Sequence, residues 1–387
     1  MATSIDFIKK YGDKTFDELP FCDIDNLVLC EMFYMPFEKV INDNFNKEPI
    51  PFAEACNKMF AYNGYKHVGP GIMLLKKISV KMMAMANCKR YRDLKVVACQ
   101  SAFATEPALQ FAAMTLILPD GTLVVVFRGT DDTLVGWKED FDIYLRKGIP
   151  SQKLGVNYVN NIAKRYDGPI IVCGHSKGGN VSLYSAMHCS QEARSRLKAV
   201  YNNDGPGFEN FNFVNSKEYK EILPIYKHFV PSNSFIGMIL AHDDDYKVVK
   251  NTKFMGFLQH DASTWKIKGT EFVTKSDKFA LSKIVDLSLM EMLLTVNDNE
   301  SVIFDKVMTA VVNGTGQVNL TNFVRNLSSS VKGAKKAWKD MDENTKMEFS
   351  YIFAGSTKVI ADAFKTVIKG GYMDIEGKVQ QIAAANS

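Results

Sequence analysis

The chain has 387 residues, 46% of them hydrophobic, and this supply of apolar side chains predicts one large domain with an extension, or two domains. The formal net charge is only +4 and no dense run of Lys or Arg occurs, so we expect no nucleic-acid partner. No uninterrupted apolar stretch approaches the roughly 20 residues of a transmembrane helix, which argues against a membrane span.

The N-terminus and the cysteines bear on the compartment. Residues 1–7 lack the charged-then-apolar order of a secretory signal. The seven cysteines are scattered through apolar stretches and none forms a Cys-x-x-Cys pair, which is typical of buried, reduced thiols. We therefore expect a cytoplasmic protein without a disulfide framework or a structural zinc site.

The first part of the chain, to about Arg92, has a mixed pattern. Residues 28–40 form an apolar-rich run of helical character that Pro36 interrupts. Beyond Arg92 short strands and helices alternate, and residues 111–118 and 123–127 are β-rich runs on either side of a turn. This arrangement predicts a β-hairpin.

An alternation of helices and strands follows the hairpin. Residues 153–166 have helical periodicity, and residues 170–173 are wholly apolar, as expected for a central strand buried on both faces. Residues 177–189 favour another helix and residues 199–201 another buried strand. This order predicts an α/β fold with a mostly parallel sheet and right-handed crossovers.

The chain beyond residue 268 is predicted to be helical and to lack strands. Its periodic runs are residues 281–295, 301–312, 345–354 and 358–368. Such a segment is either a separate helical module or a cap against the sheet, and both alternatives stay open.

These patterns divide the chain into three predicted parts. Residues 1–95 form an N-terminal mixed, largely helical segment that packs on the core. Residues 96–268 form the α/β core, and residues 269–387 form a helical C-terminal extension.

The strongest local signal is the hexapeptide GHSKGG at residues 174–179. A buried strand leads directly into it and a helix leads out, which is the context of a serine nucleophile, here Ser176, on a sharp strand-to-helix turn. Glycines two residues before and after the serine avoid clashes across such a turn. The backbone N–H of Lys177, at the helix N-terminus, is a candidate oxyanion donor. The alternative is a Gly-rich turn without catalysis, or one that binds a phosphate.

A second oxyanion donor is expected in the loop after an early strand of the sheet. Residues 127–130 (FRGT) end such a strand, and Trp137 and Asp140 follow. Together with the GHSKGG segment, they resemble the class 3 lipases. The chain from about residue 5 to residue 265 is also similar to a bacterial family of lipase-like α/β-hydrolases of largely unknown function.

This resemblance implies an α/β-hydrolase fold, in which helices flank a mostly parallel central sheet, with a C-terminal helical extension. It matches Thr130 to the oxyanion-hole position of class 3 lipases, where the backbone N–H and the hydroxyl both help. Otherwise Thr130 is a turn residue that caps the next segment. We expect the charged residues of this loop to form an internal ion-pair network. They are Arg128, Asp131, Asp132, Glu139 and Asp140.

A serine nucleophile needs an imidazole base, and in this fold the base comes last along the chain. The candidates are His228, His242 and His260. His260 follows the last plausible strand, where the resemblance also places a Gln-His-Asp segment, and we assign it as the base. The alternative is a solvent-facing loop histidine. His242 precedes residues 243–245, three aspartates that we interpret as a solvated loop rather than a metal site.

The acid of the triad is less clearly marked. Class 3 lipases carry it after the penultimate strand, here residues 225–230, but residues 231–234 (PSNS) contain no carboxylate. Asp204, after the preceding strand, resembles the acid position of the pancreatic-type lipases, and a carboxylate there could orient the imidazole. The alternatives are that Asp204 is an Asx-turn residue, that Asp244 is the acid, or that an Asn or Ser assists a dyad.

The leading functional hypothesis is a serine esterase or lipase that acts on a small-molecule ester or lipid without a metal or cofactor. A second hypothesis is a non-catalytic scaffold that binds lipid or protein, because a fold does not fix a function. A third is another acyl chemistry, such as that of a thioesterase, acyltransferase or peptidase. The sequence indicates neither the acyl-chain length nor the oligomeric state.

Overall fold

The computed structural model describes most of the chain between residues 2 and 354. The described residues are 2–45, 47–62, 78–131, 133–145, 148–208, 211–234, 236–238, 240, 246–253, 256–276, 298–317, 322, 326–352 and 354. The predicted helices at 281–295 and 358–368, and the histidine-aspartate run at 242–245, lie outside these ranges.

A central sheet organises the fold. Its strands in the described ranges are β1 (Ile50–Pro51), β2 (Lys95–Thr105), β3 (Ala108–Ile117), β4 (Leu123–Phe127), β5 (Ile170–His175), β6 (Leu197–Asn203), β7 (Tyr226–Pro231), β8 (Tyr246–Val249) and β11 (Thr274–Lys275). Their order is β1-β2-β3-β4-β5-β6-β7-β8-β11. The strands β9 (Ile267–Lys268) and β10 (Glu271–Phe272) form a separate two-stranded hairpin. The strands β4 to β8 are parallel neighbours, and six of these nine described strands run in one direction. The predicted α/β class with a mostly parallel sheet is therefore confirmed.

Helices lie on both faces of this sheet. The helices of the described ranges are α1 (Ser4–Tyr11), α2 (Asp23–Met32), α3 (Phe52–Tyr62), α4 (Ile78–Asn87), α5 (Leu134–Leu145), α6 (Pro150–Arg165), α7 (Lys177–His188), α8 (Gln191–Ser195), α9 (Lys217–Ile222), α10 (Gly256–Gln259), α11 (Asp298–Gly314) and α12 (Leu327–Asp340). The last two pack on each other, and α11 also packs on α5. A further helical run covers residues 343–352.

The alternation of side chains along β4 and β5 explains why both strands are wholly apolar. Val124 and Val126 of β4 pack in the core that α1 to α4 cover, whereas Val125 and Phe127 pack in the core under α6 and α7. The run 170–173 alternates between the same two cores. Successive residues of a strand point to opposite faces, so a strand covered on both faces contains no polar position.

The structure corrects three details of the sequence analysis. Residues 134–145 form the helix α5, where only a loop was expected. The long strand β2 was not predicted. Strands also do not stop at residue 268, because β11 pairs with β8 at the edge of the main sheet. The three-part division of the chain itself stays a prediction.

A buried ion pair fixes the N-terminal segment. The side chains of Arg90 and Asp25 are both 0% exposed, with Nη2 of the arginine 2.5 Å from Oδ2 and Nε 2.7 Å from Oδ1 of the carboxylate. The Tyr91 hydroxyl donates to the same carboxylate at 2.6 Å. Asp25 lies on α2, so these bonds attach the start of that helix to the chain just before β2.

At the other end of the described chain, α11 contacts α5. Nζ of Lys138 on α5 lies 2.8 Å from Oδ1 of Asp305 on α11 and 3.6 Å from Oδ2 of Asp142. All seven cysteines are free thiols, and five of them are buried. Within the described ranges, no helix combines the length and the apolar character that a bilayer-spanning helix requires.

We predict that Arg90→Leu lowers the free energy of unfolding by about 3–5 kcal/mol, because it leaves the Asp25 carboxylate buried without its cation. Urea denaturation followed by circular dichroism measures this loss. Arg92→Leu is the matched control, since its pair with Asp93 is exposed and contributes less than about 1 kcal/mol. Equal losses in the two variants would contradict the anchoring role of the buried pair.

Candidate active site

Ser176 occupies the sharp turn between β5 and α7. Its backbone is left-handed, with φ 59° and ψ −133°, a conformation that costs a non-glycine residue about 1–3 kcal/mol. A side chain at Gly174 would collide with the carbonyl oxygen of Gly178, and one at Gly178 would collide with the carbonyl oxygen of Phe127. Gly174 and Gly178, two of the three glycines of the GHSKGG segment, are therefore required by the close approach of three backbone segments.

Backbone hydrogen bonds hold this turn in place. The N–H of Ser176 donates to the carbonyl oxygen of Asn203, at the end of the neighbouring strand β6, over 3.0 Å, and the carbonyl oxygen of Ser176 accepts from Gly179 at 2.8 Å. The serine is 9% exposed. Within the described part of the chain, its hydroxyl has no hydrogen-bond partner. The local structure thus fixes the backbone of Ser176 and leaves its hydroxyl without a partner among the described residues.

His260 and Asp204 form a direct pair. Nδ1 of the imidazole lies 2.7 Å from Oδ2 of the carboxylate, and Asp204 is fully buried. Asp204 follows β6 with φ 54°, a left-handed conformation that aspartate tolerates better than most residues. An ionised carboxylate only accepts hydrogen bonds, so Nδ1 carries the proton and Nε2 is the nitrogen left to accept one.

Two further groups bind the Asp204 carboxylate. The Ser234 hydroxyl donates to Oδ2 at 2.6 Å, and the backbone N–H of Gly237 donates to Oδ1 at 3.0 Å. The segment after β7 contains no carboxylate, as its sequence shows, but it supplies hydrogen-bond donors to the Asp204 carboxylate after β6, which was not predicted. Because β6 and β7 are adjacent and parallel, their following loops meet at the same edge of the sheet, and this was the available signal.

The three candidate triad residues are close to one another. The N–H of Ser176 binds the residue before Asp204, and the ring of His175, which precedes the serine, lies 4.6 Å from the ring of His260. Among the described residues, no hydrogen bond joins the Ser176 hydroxyl to His260. Such bonds are often long without substrate and shorten when the complex forms.

The two candidate oxyanion donors lie on the loop after β4 and at the start of α7. Gly129 brings that loop against the nucleophile, since a Cβ atom at this glycine would lie 3.1 Å from Cβ of Ser176. In the described part of the structure, the backbone N–H groups of Thr130 and Lys177 have no acceptor. Two free N–H groups on either side of a serine could receive a developing negative charge.

The side chain of Lys177 is directed into the protein rather than into solvent. Its Nζ donates to the backbone and side-chain oxygens of Gln110, at 2.7 and 2.8 Å, and to Oε2 of Glu139 at 2.6 Å. Oε1 of Glu139 accepts from the Ser151 hydroxyl at 2.6 Å. This buried network joins the start of α7 to α5 and β3, so it fixes the nucleophile turn against the candidate oxyanion loop.

A comparison with protein-family models matches residues 85–308, more than half of the chain, to a family described as Mbeg1-like. The chain belongs to the Mbeg1-like family. Thr130, Ser176, Asp204 and His260 all lie within the matched residues. Neither the comparison with curated proteins nor the comparison with solved structures found a match. The roles assigned to these four residues of the Mbeg1-like region stay predictions.

The predicted ion-pair network around Arg128 is wrong in its partners. The guanidinium makes a two-point contact with Glu38, at 2.9 and 3.0 Å, and no described hydrogen bond or ion pair joins it to Asp131, Glu139 or Asp140. Asp132 lies outside the described residues. Glu139 pairs with Lys177 instead, and Asp140 accepts from Thr130. A carboxylate 90 residues upstream in the N-terminal segment thus holds the strand end that leads to Thr130.

Of the other histidine candidates, only His228 lies among the described residues. It is buried in β7, with its ring 5.9 Å from that of Tyr226 and 6.0 Å from that of Tyr246, and no described hydrogen bond joins it to Asp204. His242 and the alternative acid Asp244 lie outside the described residues. In the described ranges, no group of three or more His, Cys, Asp or Glu side chains is arranged to hold a metal ion.

The Thr130 hydroxyl is held by Asp140 on α5. Its Oγ1 lies 2.7 and 2.6 Å from the two carboxylate oxygens. Burial raises the pKa of Asp140 to about 6, although the Lys177 cation and the Thr130 hydrogen bond act in the opposite direction. The hydroxyl is therefore directed toward α5, which leaves the Thr130 N–H as the free donor of this residue.

We predict that the Asp140 carboxyl makes stability depend on pH. Because its folded pKa of about 6 exceeds the ordinary 3.8, the folded state binds this proton more tightly than the unfolded chain does. The resulting stability is complete below about pH 4 and is lost as the pH rises through 6. Asp140→Asn lacks this titration, so its free energy of unfolding should rise relative to the wild type between pH 4 and pH 7. Urea denaturation at several pH values measures the unfolding free energy of the variant minus that of the wild type. A value that stays constant or falls between pH 4 and pH 7 would contradict the assignment.

Proposed function

We propose that this protein is a serine hydrolase of the α/β-hydrolase fold that cleaves carboxylic esters through an acyl-enzyme on Ser176. The observation that carries the proposal is the 2.7 Å pair of His260 and buried Asp204, beside a serine with a left-handed backbone. The Mbeg1-like family, described as lipase-like, supports the same class of activity.

The positions of the residues in the sheet support this fold assignment. The serine follows β5, the acid follows the adjacent strand β6, and the histidine comes after β8, in the chain order nucleophile, acid, base. The candidate oxyanion loop follows β4, on the other side of β5. Ligands of such parallel sheets bind outside the carboxyl ends of the strands, which is where these loops meet.

The proposed mechanism follows from the hydrogen-bond donors and acceptors. Asp204 holds Nδ1–H of His260, so Nε2 accepts the proton of the Ser176 hydroxyl as the oxygen attacks the ester carbonyl. The N–H groups of Thr130 and Lys177 stabilise the oxyanion. His260 then protonates the leaving alcohol, the acyl group stays on the serine, and water releases the acid by the reverse sequence.

The substrate is proposed as a small-molecule ester or a lipid. The lipase-like description of the family supports this choice. A thioester or an acyl transfer to another acceptor would use the same residues, so the acyl donor and the chain length are to be found by screening. A non-catalytic binding scaffold is the remaining alternative, and it makes a distinct prediction for covalent labelling.

We predict that Ser176→Ala abolishes both the hydrolysis of p-nitrophenyl esters and the labelling by a fluorophosphonate probe. The reason is that the alanine removes the only oxygen that the proposal allows to attack. The matched control is Ser185→Ala. Ser185 is a buried serine on α7, the helix that follows Ser176, and this variant should keep both activities. Undiminished labelling of Ser176→Ala would overturn the nucleophile assignment, and an unlabelled wild type would favour the scaffold.

We also predict that Asp204→Asn lowers kcat by about 10³–10⁴-fold, since an amide at this position favours the wrong imidazole tautomer. Steady-state hydrolysis of the ester preferred by the wild type measures the effect. Asp120→Asn, at a turn remote from the site, should leave kcat within about twofold of the wild type. A loss of less than tenfold in Asp204→Asn would assign the role of acid elsewhere.

A further inference from the structure

His175 is a second histidine at the candidate active site, and the proposed mechanism gives it no role. It is buried between the N-terminal segment and the loop that carries His260. Its Nδ1 lies 2.8 Å from the hydroxyl of Tyr34, and its Nε2 lies 2.8 Å from the backbone carbonyl oxygen of His260. Both ring nitrogens therefore have a hydrogen-bond partner, one in the N-terminal segment and one in the loop that carries His260.

We infer that Tyr34 and His175 form a hydrogen-bonded relay that positions the backbone of His260, so both act as positioning residues. This inference rests on the proposed function, in which His260 is the base. The order of the relay is Tyr34 hydroxyl, His175 ring, His260 carbonyl, and it begins 141 residues upstream of His175.

The hydrogen-bond chemistry permits only one direction for the relay. A carbonyl oxygen has no proton to give, so Nε2 of His175 is the donor to His260. Burial lowers the pKa of His175 well below its ordinary value, and the nearby His260 acts in the same direction. In the neutral ring Nδ1 has no proton, so the Tyr34 hydroxyl must donate to it. Burial also raises the pKa of Tyr34 well above its ordinary value, which keeps that proton in place.

The neutrality of His175 has a direct consequence for catalysis. The rings of His175 and His260 are 4.6 Å apart and tilted by 33°. In the proposed reaction His260 becomes positively charged, and a second charged imidazole at this distance would oppose that step. A neutral ring that still donates a hydrogen bond can support His260 without repelling it.

The bond from His175 is one of three side-chain hydrogen bonds to the backbone carbonyl groups of His260 and the residue before it. The carbonyl oxygen of the preceding residue, Gln259, accepts from Nε1 of Trp265 and from Nδ2 of Asn251, both at 3.0 Å. With the bond from His175, two successive carbonyl groups are fixed by side chains. The imidazole of His260 can then reach the Asp204 carboxylate with little freedom of its backbone.

Tyr34 belongs to the N-terminal segment, so this segment contributes a hydrogen bond to the candidate site. Tyr34 follows α2, which the Arg90–Asp25 pair anchors, and Glu38 four residues later binds Arg128 at the end of β4. A side chain at Gly129 would collide with the Tyr34 hydroxyl. One short stretch, residues 34–38, thus contacts both His175, which binds the backbone of the base, and the candidate oxyanion loop, although it precedes the family match at residues 85–308.

The test is Tyr34→Phe, which keeps the ring and removes only the donor to His175. The loss of one buried hydrogen bond should lower kcat about 5- to 10-fold and leave KM within about twofold, because the substrate itself loses no contact. Tyr158→Phe is the matched control. Its hydroxyl is also buried and bonded, to Thr115 and to the Ala98 carbonyl, but it lies outside the site, so kcat should not change.

Histidine ¹⁵N NMR gives a readout that does not depend on turnover. In the wild type at pH 7, His175 should be neutral with its proton on Nε2. In Tyr34→Phe the His260 carbonyl still holds that proton on Nε2, and the loss of the hydroxyl donor should shift the resonance of the unprotonated Nδ1. His175→Gln assigns the resonance, and its amide can still donate toward the His260 carbonyl, so it should retain more activity than His175→Leu.

Three results would overturn the relay. They are a charged or Nδ1–H form of His175 in the wild type, a Tyr34→Phe variant with unchanged kcat and an unchanged Nδ1 resonance, or a loss in Tyr34→Phe that the Tyr158→Phe control reproduces. Failure of the proposed function is separate from these. It would leave the wild type without labelling or hydrolysis, and the NMR tautomers would still decide whether the relay exists.

Discussion

The buried carboxylate of Asp204 sets the constraint on which the rest of the site depends. An ionised group without solvent is costly unless hydrogen-bond donors surround it, and here His260, Ser234 and the N–H of Gly237 supply them. The aspartate follows β6, whereas its donors come from chain segments beyond β7 and β8. Satisfying one negative charge therefore brings together the loops of three adjacent parallel strands, beside the turn that carries Ser176.

Two buried cations near the turn that carries Ser176 meet the same requirement for a partner. Lys177 is bonded to Glu139 and Arg128 is bonded to Glu38, so each of these two cations has its own carboxylate. None of these four charges is free to act on a substrate. Their contribution is geometric, because breaking either pair would leave an unpaired charge inside the protein and move the loop it holds.

The sequence could predict those parts of the site that depend on local patterns. The apolar runs of β5 and β6, the GHSKGG turn and the residues Asp204 and His260 all have signals within a few positions of the residue concerned. The partners Glu38 and Tyr34 have none, because they lie 90 and 141 residues from the groups they bind, and only the packing of α2 on the sheet brings them there. The helix α5 was missed for a different reason, since three adjacent charged residues, Lys138, Glu139 and Asp140, interrupt its apolar residues and are satisfied by tertiary contacts.

The contact between Lys138 and Asp305 links the C-terminal helices to the candidate oxyanion loop. Lys138 is buried on α5, two residues before Asp140, and Asp140 holds the hydroxyl of Thr130. A displacement of α11 would pull on this lysine and so tilt α5, and the tilt would reach the threonine through a single carboxylate. The helix α11, which begins 122 residues after Ser176, is thus linked through the side chains of Asp305, Lys138 and Asp140 to the loop that faces the serine.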